Sequence, residues 1–178
     1  MIKEVKDNEI LFAKLKGSAI IPSKIDENMA YDVYACFEND RMVIQPQETK
    51  LIPTGICSAF NKKWGVSLRE RGSNAIFKDS NGKEFSIGMK VSAGQIDSGY
   101  RGEWFIAITN TNNMPISIDK NVKKVTVTED FILYPYSKAA CQAKFEEVPV
   151  MDVKEISLEE LKAIPSMRGD GKIGSSGK

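Results

Sequence analysis

Short apolar runs separated by turn residues recur along most of this chain, and their period is two. Gly65-Val66-Ser67-Leu68-Arg69 alternates apolar and polar positions, the pattern of a strand with one buried face. Residues 10–15, 41–44, 49–52, 104–109, 116–118, 122–127 and 131–134 also read as strands. They are punctuated by Gln45-Pro46, Pro53-Thr54-Gly55 and Asn110-Thr111-Asn112-Asn113. Asp79-Ser80-Asn81-Gly82 reads as a hairpin turn. Many short strands at regular spacing, with no internal repeat, predict an all-β barrel or sandwich.

One helix breaks this rhythm. Ser157-Leu158-Glu159-Glu160 is a capping box, with serine at the N-cap and glutamate three residues on. Leu158, Leu161, Ala163 and Ile164 give it a partial apolar face, and Pro165 ends it after about two turns, so it must lean on tertiary contacts. A glycine- and serine-rich tail follows. The expected organisation is a β domain over residues 1–150, then a short helix and flexible C-terminal arm over residues 151–178, the arm ordering only around a ligand.

Composition narrows the chemistry. With 42% hydrophobic residues among 178, the chain can bury a sizeable core. Its net charge of +1 gives no field to recruit nucleic acid or anionic lipid, although local arginines can still serve a small polyanion. There is no histidine, which removes Ser-His and Cys-His pairs and most zinc sites. Cys36, Cys57 and Cys141 form no Cys-x-x-Cys pair and read as reduced thiols. No apolar leader and no membrane-length run is present, so a soluble, cytoplasmic protein without membrane partners is expected.

Four segments carry candidate chemistry. Asp32, in Met29-Ala30-Tyr31-Asp32-Val33-Tyr34-Ala35, faces away from Tyr31 and Val33 in a strand. Taken alone it reads as a solvated strand position, the alternative being an acid that holds water around a hard cation. Arg71-Gly72-Ser73-Asn74 joins a forked arginine to free amides and a hydroxyl, which suits phosphate. Gly94-Gln95-Ile96-Asp97-Ser98-Gly99-Tyr100-Arg101-Gly102-Glu103 sets a carboxylate in a tight turn beside an aromatic ring. Gly94 and Gly102 allow close backbone approach there. Asp97 is a candidate general base and Tyr100 a candidate stacking surface. Gln142 could orient a water, while Cys141 reads as a small core residue.

In this order the segments resemble the trimeric dUTPase family, whose five motifs span nearly the whole chain. The first resembles residues 29–35, the second Arg71-Gly72-Ser73, the third residues 94–102, the fourth residues 137–142 and the fifth residues 168–177. The third and fifth are the most specific. The resemblance implies a jelly-roll-like (β-clip) barrel, a homotrimer with active sites shared between chains, and Mg2+-dependent hydrolysis of dUTP to dUMP and pyrophosphate. It assigns Asp97 as the base, Gln142 as the amide holding the attacking water, and Asp32 as a contact to the metal through water. Arg71, Gly72 and Ser73 would bind phosphates. Gln95 and Ile96 would lie in the base-reading hairpin, with Tyr100 under the deoxyribose. Arg168, Gly174 and Ser175 would close over the phosphates, with Ile173 over the base.

Departures from the family pattern imply a divergent phage or bacterial branch. Gly72 stands where serine is usual, Lys138 and Ala139 where Asp-Arg is usual, Lys172 and Ile173 where Gly-Phe is usual, and Gln95 where a small apolar residue is usual. Two alternatives to dUTP hydrolysis follow: action on another deoxynucleotide such as dCTP, or a non-catalytic, nucleotide-gated regulatory protein.

Overall fold

Alternating sequence becomes paired strands throughout the computed structural model, which describes residues 4–78, 82–167 and 169. Among these residues the chain forms fifteen strands and two short helices. The first half holds β1 (Ile10–Lys14), β2 (Tyr31–Val33), β3 (Arg41–Ile44), β4 (Thr49–Pro53), β5 (Ile56–Phe60), β6 (Trp64–Arg69), α1 (Gly72–Ala75), β7 (Phe77–Lys78) and β8 (Glu84–Phe85). The second holds β9 (Met89–Ala93), β10 (Gln95–Ile96), β11 (Phe105–Asn110), β12 (Ile116–Asp119), β13 (Thr126–Val127), β14 (Ile132–Pro135), β15 (Cys141–Glu147) and α2 (Leu158–Ala163).

The strands pair as β1-β5, β10-β6-β15-β2, β4-β11-β9, β13-β14-β12-β3 and β7-β8. All of these pairs are antiparallel except β12 with β14. Neighbours far apart in sequence make this an all-β arrangement, as the strand spacing predicts, of the jelly-roll-like kind that the family resemblance implies. The inward positions form one core that includes Val33, Ile44, Ile52, Ile106, Ile116 and Trp104. Several polar groups inside it are matched. Trp104 Nε1 donates to Ser58 Oγ at 3.0 Å, and Asn110 Nδ2 donates to the carbonyls of Ile44 and Met114 at 3.0 and 2.8 Å. Such pairing is what makes burial of an amide or indole N–H tolerable.

The chain divides into two compact units, Met1–Val148 and Pro149–Lys178. The second contains α2, where both capping-box bonds are made: Glu160 N–H to Ser157 Oγ at 3.1 Å and Ser157 N–H to Glu160 Oε2 at 2.8 Å. No residue of α2 is buried.

Three local expectations change. The strand predicted over residues 122–127 shrinks to β13, because Lys123 and Lys124 are exposed and pairing with β14 starts only at Thr126. The turn expected after Arg71 tightens into the one-turn α1, closed by Asn74 N–H to Arg71 C=O at 2.9 Å, so there are two short helices rather than one. Strands β5 and β9 arise where no strand was expected. Of the Asp79–Gly82 hairpin turn, residues 79–81 lie outside the described residues, but β7 and β8 pair antiparallel on either side of it.

Candidate active site

Sheet register decides which of the chemistry-bearing residues meet. Residue 142 of β15 pairs with Asp32 of β2 on one side and Arg69 of β6 on the other. Gln142 therefore reaches Asp32 although 110 positions separate them, and its Nε2 donates to Asp32 Oδ1 at 3.1 Å. Arg71, just past the end of β6, donates from one terminal nitrogen to Asp32 Oδ2 at 3.3 Å and from the other to the Ala139 carbonyl at 3.4 Å. One carboxylate is thus held between an amide and a guanidinium. The pair is only partly buried, so its Coulomb attraction is screened and its main effect is geometric.

Tyr134, read from the sequence only as part of a strand, and Asn74, read only as part of the turn after Arg71, support this cluster. The Tyr134 hydroxyl donates to the Ala139 carbonyl at 2.7 Å and contacts Asn74 Oδ1 at 3.3 Å. Burial pushes the Tyr134 phenol up to about 12, against the lowering pull of Asn74 and Arg71, so it stays a neutral donor. Burial, with the Asp32 charge adding, pushes the Cys141 thiol up as well, in keeping with a core residue rather than a nucleophile.

Arg71 Nε and Asn74 Nδ2 are buried without a hydrogen-bond partner among the described residues. Donors therefore outnumber acceptors here, and a donor without an acceptor costs about 1–3 kcal/mol when buried. An anion or water meets that need. Gly72 and Ser73 follow directly and are exposed.

The second half of the site lies at the other edge of the same sheet. β10 pairs with β6 so that Ile96 is level with Val66, whereas Gln142 is level with Arg69. Three residues along the strands and two strand spacings across put these positions about 10 Å apart in each direction. Asp97, Tyr100, Gln95 and Ile96 are thus not brought to Asp32, Arg71 and Gln142 within one chain.

The hairpin itself is tightly built. Gly94 C=O accepts from Leu68 N–H at 2.6 Å, and a Cβ at residue 94 would fall 2.8 Å from both Leu68 Cβ and the Leu68 carbonyl. A Cβ at residue 102 would strike the Tyr100 ring, with Cζ at 2.6 Å. The Tyr100 hydroxyl donates to the Glu103 carbonyl at 2.9 Å, and Arg101 donates to the Ser98 and Tyr100 carbonyls at 2.6 and 3.0 Å. The turn is pinned, yet Asp97 is exposed and its carboxylate has no hydrogen bond or ion pair among the described residues. Ile96 is buried in the core and anchors the strand, while Gln95 points outward.

Residues 92–96 line a cavity of about 480 Å³ together with Leu51, Phe105 and Ala107. A register shift opposite Ala107 and Ile108 leaves Ser92 as the extra residue of β9, a bulge that no sequence pattern disclosed. The expected roles of Arg168, Ile173, Gly174 and Ser175 lie outside the described residues.

Among the described residues no group of three or more acidic or thiol side chains is placed to hold a metal ion. Asp32 is a single carboxylate whose oxygens already accept from Gln142 and Arg71, with lone pairs left for water. That fits a Mg2+ that keeps most of its waters and takes its other ligands from phosphate.

No protein-family model matches the sequence. The chain is 31% identical over 168 residues to a deoxyuridine 5'-triphosphate nucleotidohydrolase of Clostridioides difficile, covering 92% of this chain and 94% of that one. It is similar in fold to the dUTPase of Staphylococcus bacteriophage 80alpha with dUPNHPP, at a TM-score of 0.70 and 19% identity, covering 96% and 99% of the two chains. It also resembles a mutant dUTPase from phage phi11 of S. aureus, described as revealing the coordination of a structural Mg(II) ion. That match has a TM-score of 0.61 and 18% identity over 84% of this chain and 97% of the other.

Proposed function

The chain belongs to the deoxyuridine 5'-triphosphate nucleotidohydrolase (dUTPase) family, and from that premise we propose how its residues divide the work. The protein is an enzyme that hydrolyses dUTP to dUMP and pyrophosphate, with Mg2+ as cofactor. Asp97 takes a proton from a water that attacks the α-phosphorus in line. A water oxygen–phosphorus bond forms, the bond from the α-phosphorus to the bridging oxygen breaks, and pyrophosphate leaves with that oxygen. Gln142 spends its Nε2 on Asp32, so its Oε1 is left to accept a hydrogen from the same water. Arg71, Gly72 and Ser73 cradle the phosphates, and the partnerless Arg71 Nε favours that role. Asp32 would hold a bound Mg2+ through water, and the ion would supply neutralisation of the triphosphate charge.

The cavity beside Ser92 and Gln95 takes the base, and the face of Tyr100, fixed by its own hydroxyl bond, lies under the deoxyribose. Arg168, Gly174 and Ser175 close over the phosphates and Ile173 over the base. Ile173 in place of an aromatic gives up stacking, a term of about 1–3 kcal/mol per base.

The observation that carries this reading is the Asp32–Arg71–Gln142 cluster together with its separation from Asp97. Since one chain holds the two halves apart, a complete site needs the hairpin of one copy against the cluster of another. A homotrimer with shared sites meets that need. Free thiols and a nucleotide substrate support a cytoplasmic location for the reaction. Steady-state turnover of dUTP, dCTP, dTTP and UTP, with and without Mg2+, tests the reading. Pyrophosphate from dUTP alone supports it. Faster turnover of dCTP, or release of ammonia, contradicts it.

A further inference from the structure

A cavity of about 780 Å³ is lined by none of the residues given a catalytic, substrate or metal role above, although Ser137 and Lys138 open the segment that resembles the fourth motif. Its walls carry Lys78, Lys123, Lys124 and Lys138, the hydroxyls of Thr126 and Ser137, and no carboxylate. Lys78 is paired with Glu84 at 3.0 Å. The other three ammonium groups have no carboxylate partner among the described residues, and Lys138 sits over the Tyr134 ring at 5.3 Å. β13 pairs with β14, and the adjacent Lys123 and Lys124 before β13 come to the same cavity as Lys138 after β14, with Lys78 of β7 on another wall. Thr126 Oγ1 donates to the Lys124 carbonyl at 3.2 Å and fixes the local backbone. Lys138 links this cavity to the phosphate cradle: burial lowers its pKa, and the Arg71 charge lowers it further.

We infer that this lysine-walled cavity is a polyphosphate site distinct from the substrate site, and that it takes the pyrophosphate released by the reaction. Compact ammonium groups with three donors each suit phosphate oxygens. A chain of net charge +1 gives no broad field, so the positive potential is local and matches a small anion better than a nucleic acid. The identity of the ligand as pyrophosphate rests on the dUTP-hydrolysing reading. The preference for a polyanion does not.

Calorimetric titration of pyrophosphate, without metal, into full-length protein saturated with an imido analogue of dUTP tests this. One pyrophosphate per chain is expected to bind with the substrate site filled. The double variant Lys123→Gln/Lys124→Gln should weaken it about tenfold or more, since two charges facing the anion are lost. Its dUTP turnover should be unchanged, which also shows that it folds. The control Lys14→Gln/Lys62→Gln removes the same charge elsewhere and should leave binding unchanged. Absence of binding to the analogue-saturated protein would overturn the proposal, because pyrophosphate would then have only the substrate site. Equal weakening by both double variants would overturn it as well. Absent dUTP turnover would sink the hydrolase reading and leave the titration interpretable by itself.

Discussion

The cluster around Arg71 and the hairpin around Asp97 share one sheet, and they are prepared for chemistry in opposite ways. Asp32, Arg71 and Gln142 hold one another through side-chain bonds that cross three strands. In the hairpin, backbone contacts and glycines fix the turn, and the Asp97 carboxylate is left without a partner among the described residues. A charge-binding surface gains from pre-set donors, because reorganisation is then done before the substrate arrives. A base must keep its lone pair for the substrate's water, and rigidity from the backbone alone allows that.

Breaking the hairpin's carboxylate should have the largest effect. Asp97→Asn is expected to lower kcat by about 10²–10⁴-fold, the usual range for a general base, while calorimetry still detects binding of the imido analogue. Wild-type turnover would remove Asp97 from the mechanism. On the cluster side, Gln142→Ala should cost about a hundredfold in kcat with little change in KM, as for a group that acts mainly on the attacking water. A change confined to KM would make Gln142 a binding residue instead.

Perturbing only the hairpin's backbone sharpens the contrast. Gly94→Ala places a methyl against Leu68 and should destabilise the fold by about 1–3 kcal/mol, read as a lower Tm. An unchanged Tm would mean that β6 and β10 shift freely.

The smallest effect belongs to α2, which serves neither half in this account. Hydrogen bonds from the Ser157 backbone and side chain hold Glu160 below its ordinary value of 4.5. Its contribution to the helix is therefore present above that value and disappears as pH falls through the lowered one. Amide chemical shifts of residues 157–164 followed downward from pH 6 should show this. Ser157→Ala removes only the side-chain bond and keeps the backbone N–H, so the Glu160 transition should move part of the way back up toward 4.5, and an unmoved transition would leave the Ser157 N–H as the sole cause.

Much of this was legible from short-range pattern. The alternation around Val66 and Leu68 became β6, and Ser157 with Glu160 became a helix start. The turn holding Asp97 was readable from its glycines. What was not legible depends on pairing between distant segments. Nothing local to Gln142 says that it will stand opposite Asp32, and nothing near Asn74 says that Tyr134 will contact it from 60 positions away. The lysine cavity is hidden for the same reason, because its walls come from three separate stretches of chain. The Ser92 bulge needed the register of β9 against β11.

In the proposed enzyme the two halves of each working site come from different copies of the chain. Mixing two inactive variants, Asp97→Asn and Arg71→Ala, after dissociation and reassembly tests it directly. Each site then draws a competent hairpin with a chance of one half and a competent cluster with a chance of one half, so about a quarter of wild-type activity should return. If the mixture stays as inactive as its components while assembling normally, hairpin and cluster work within one chain and the account is wrong.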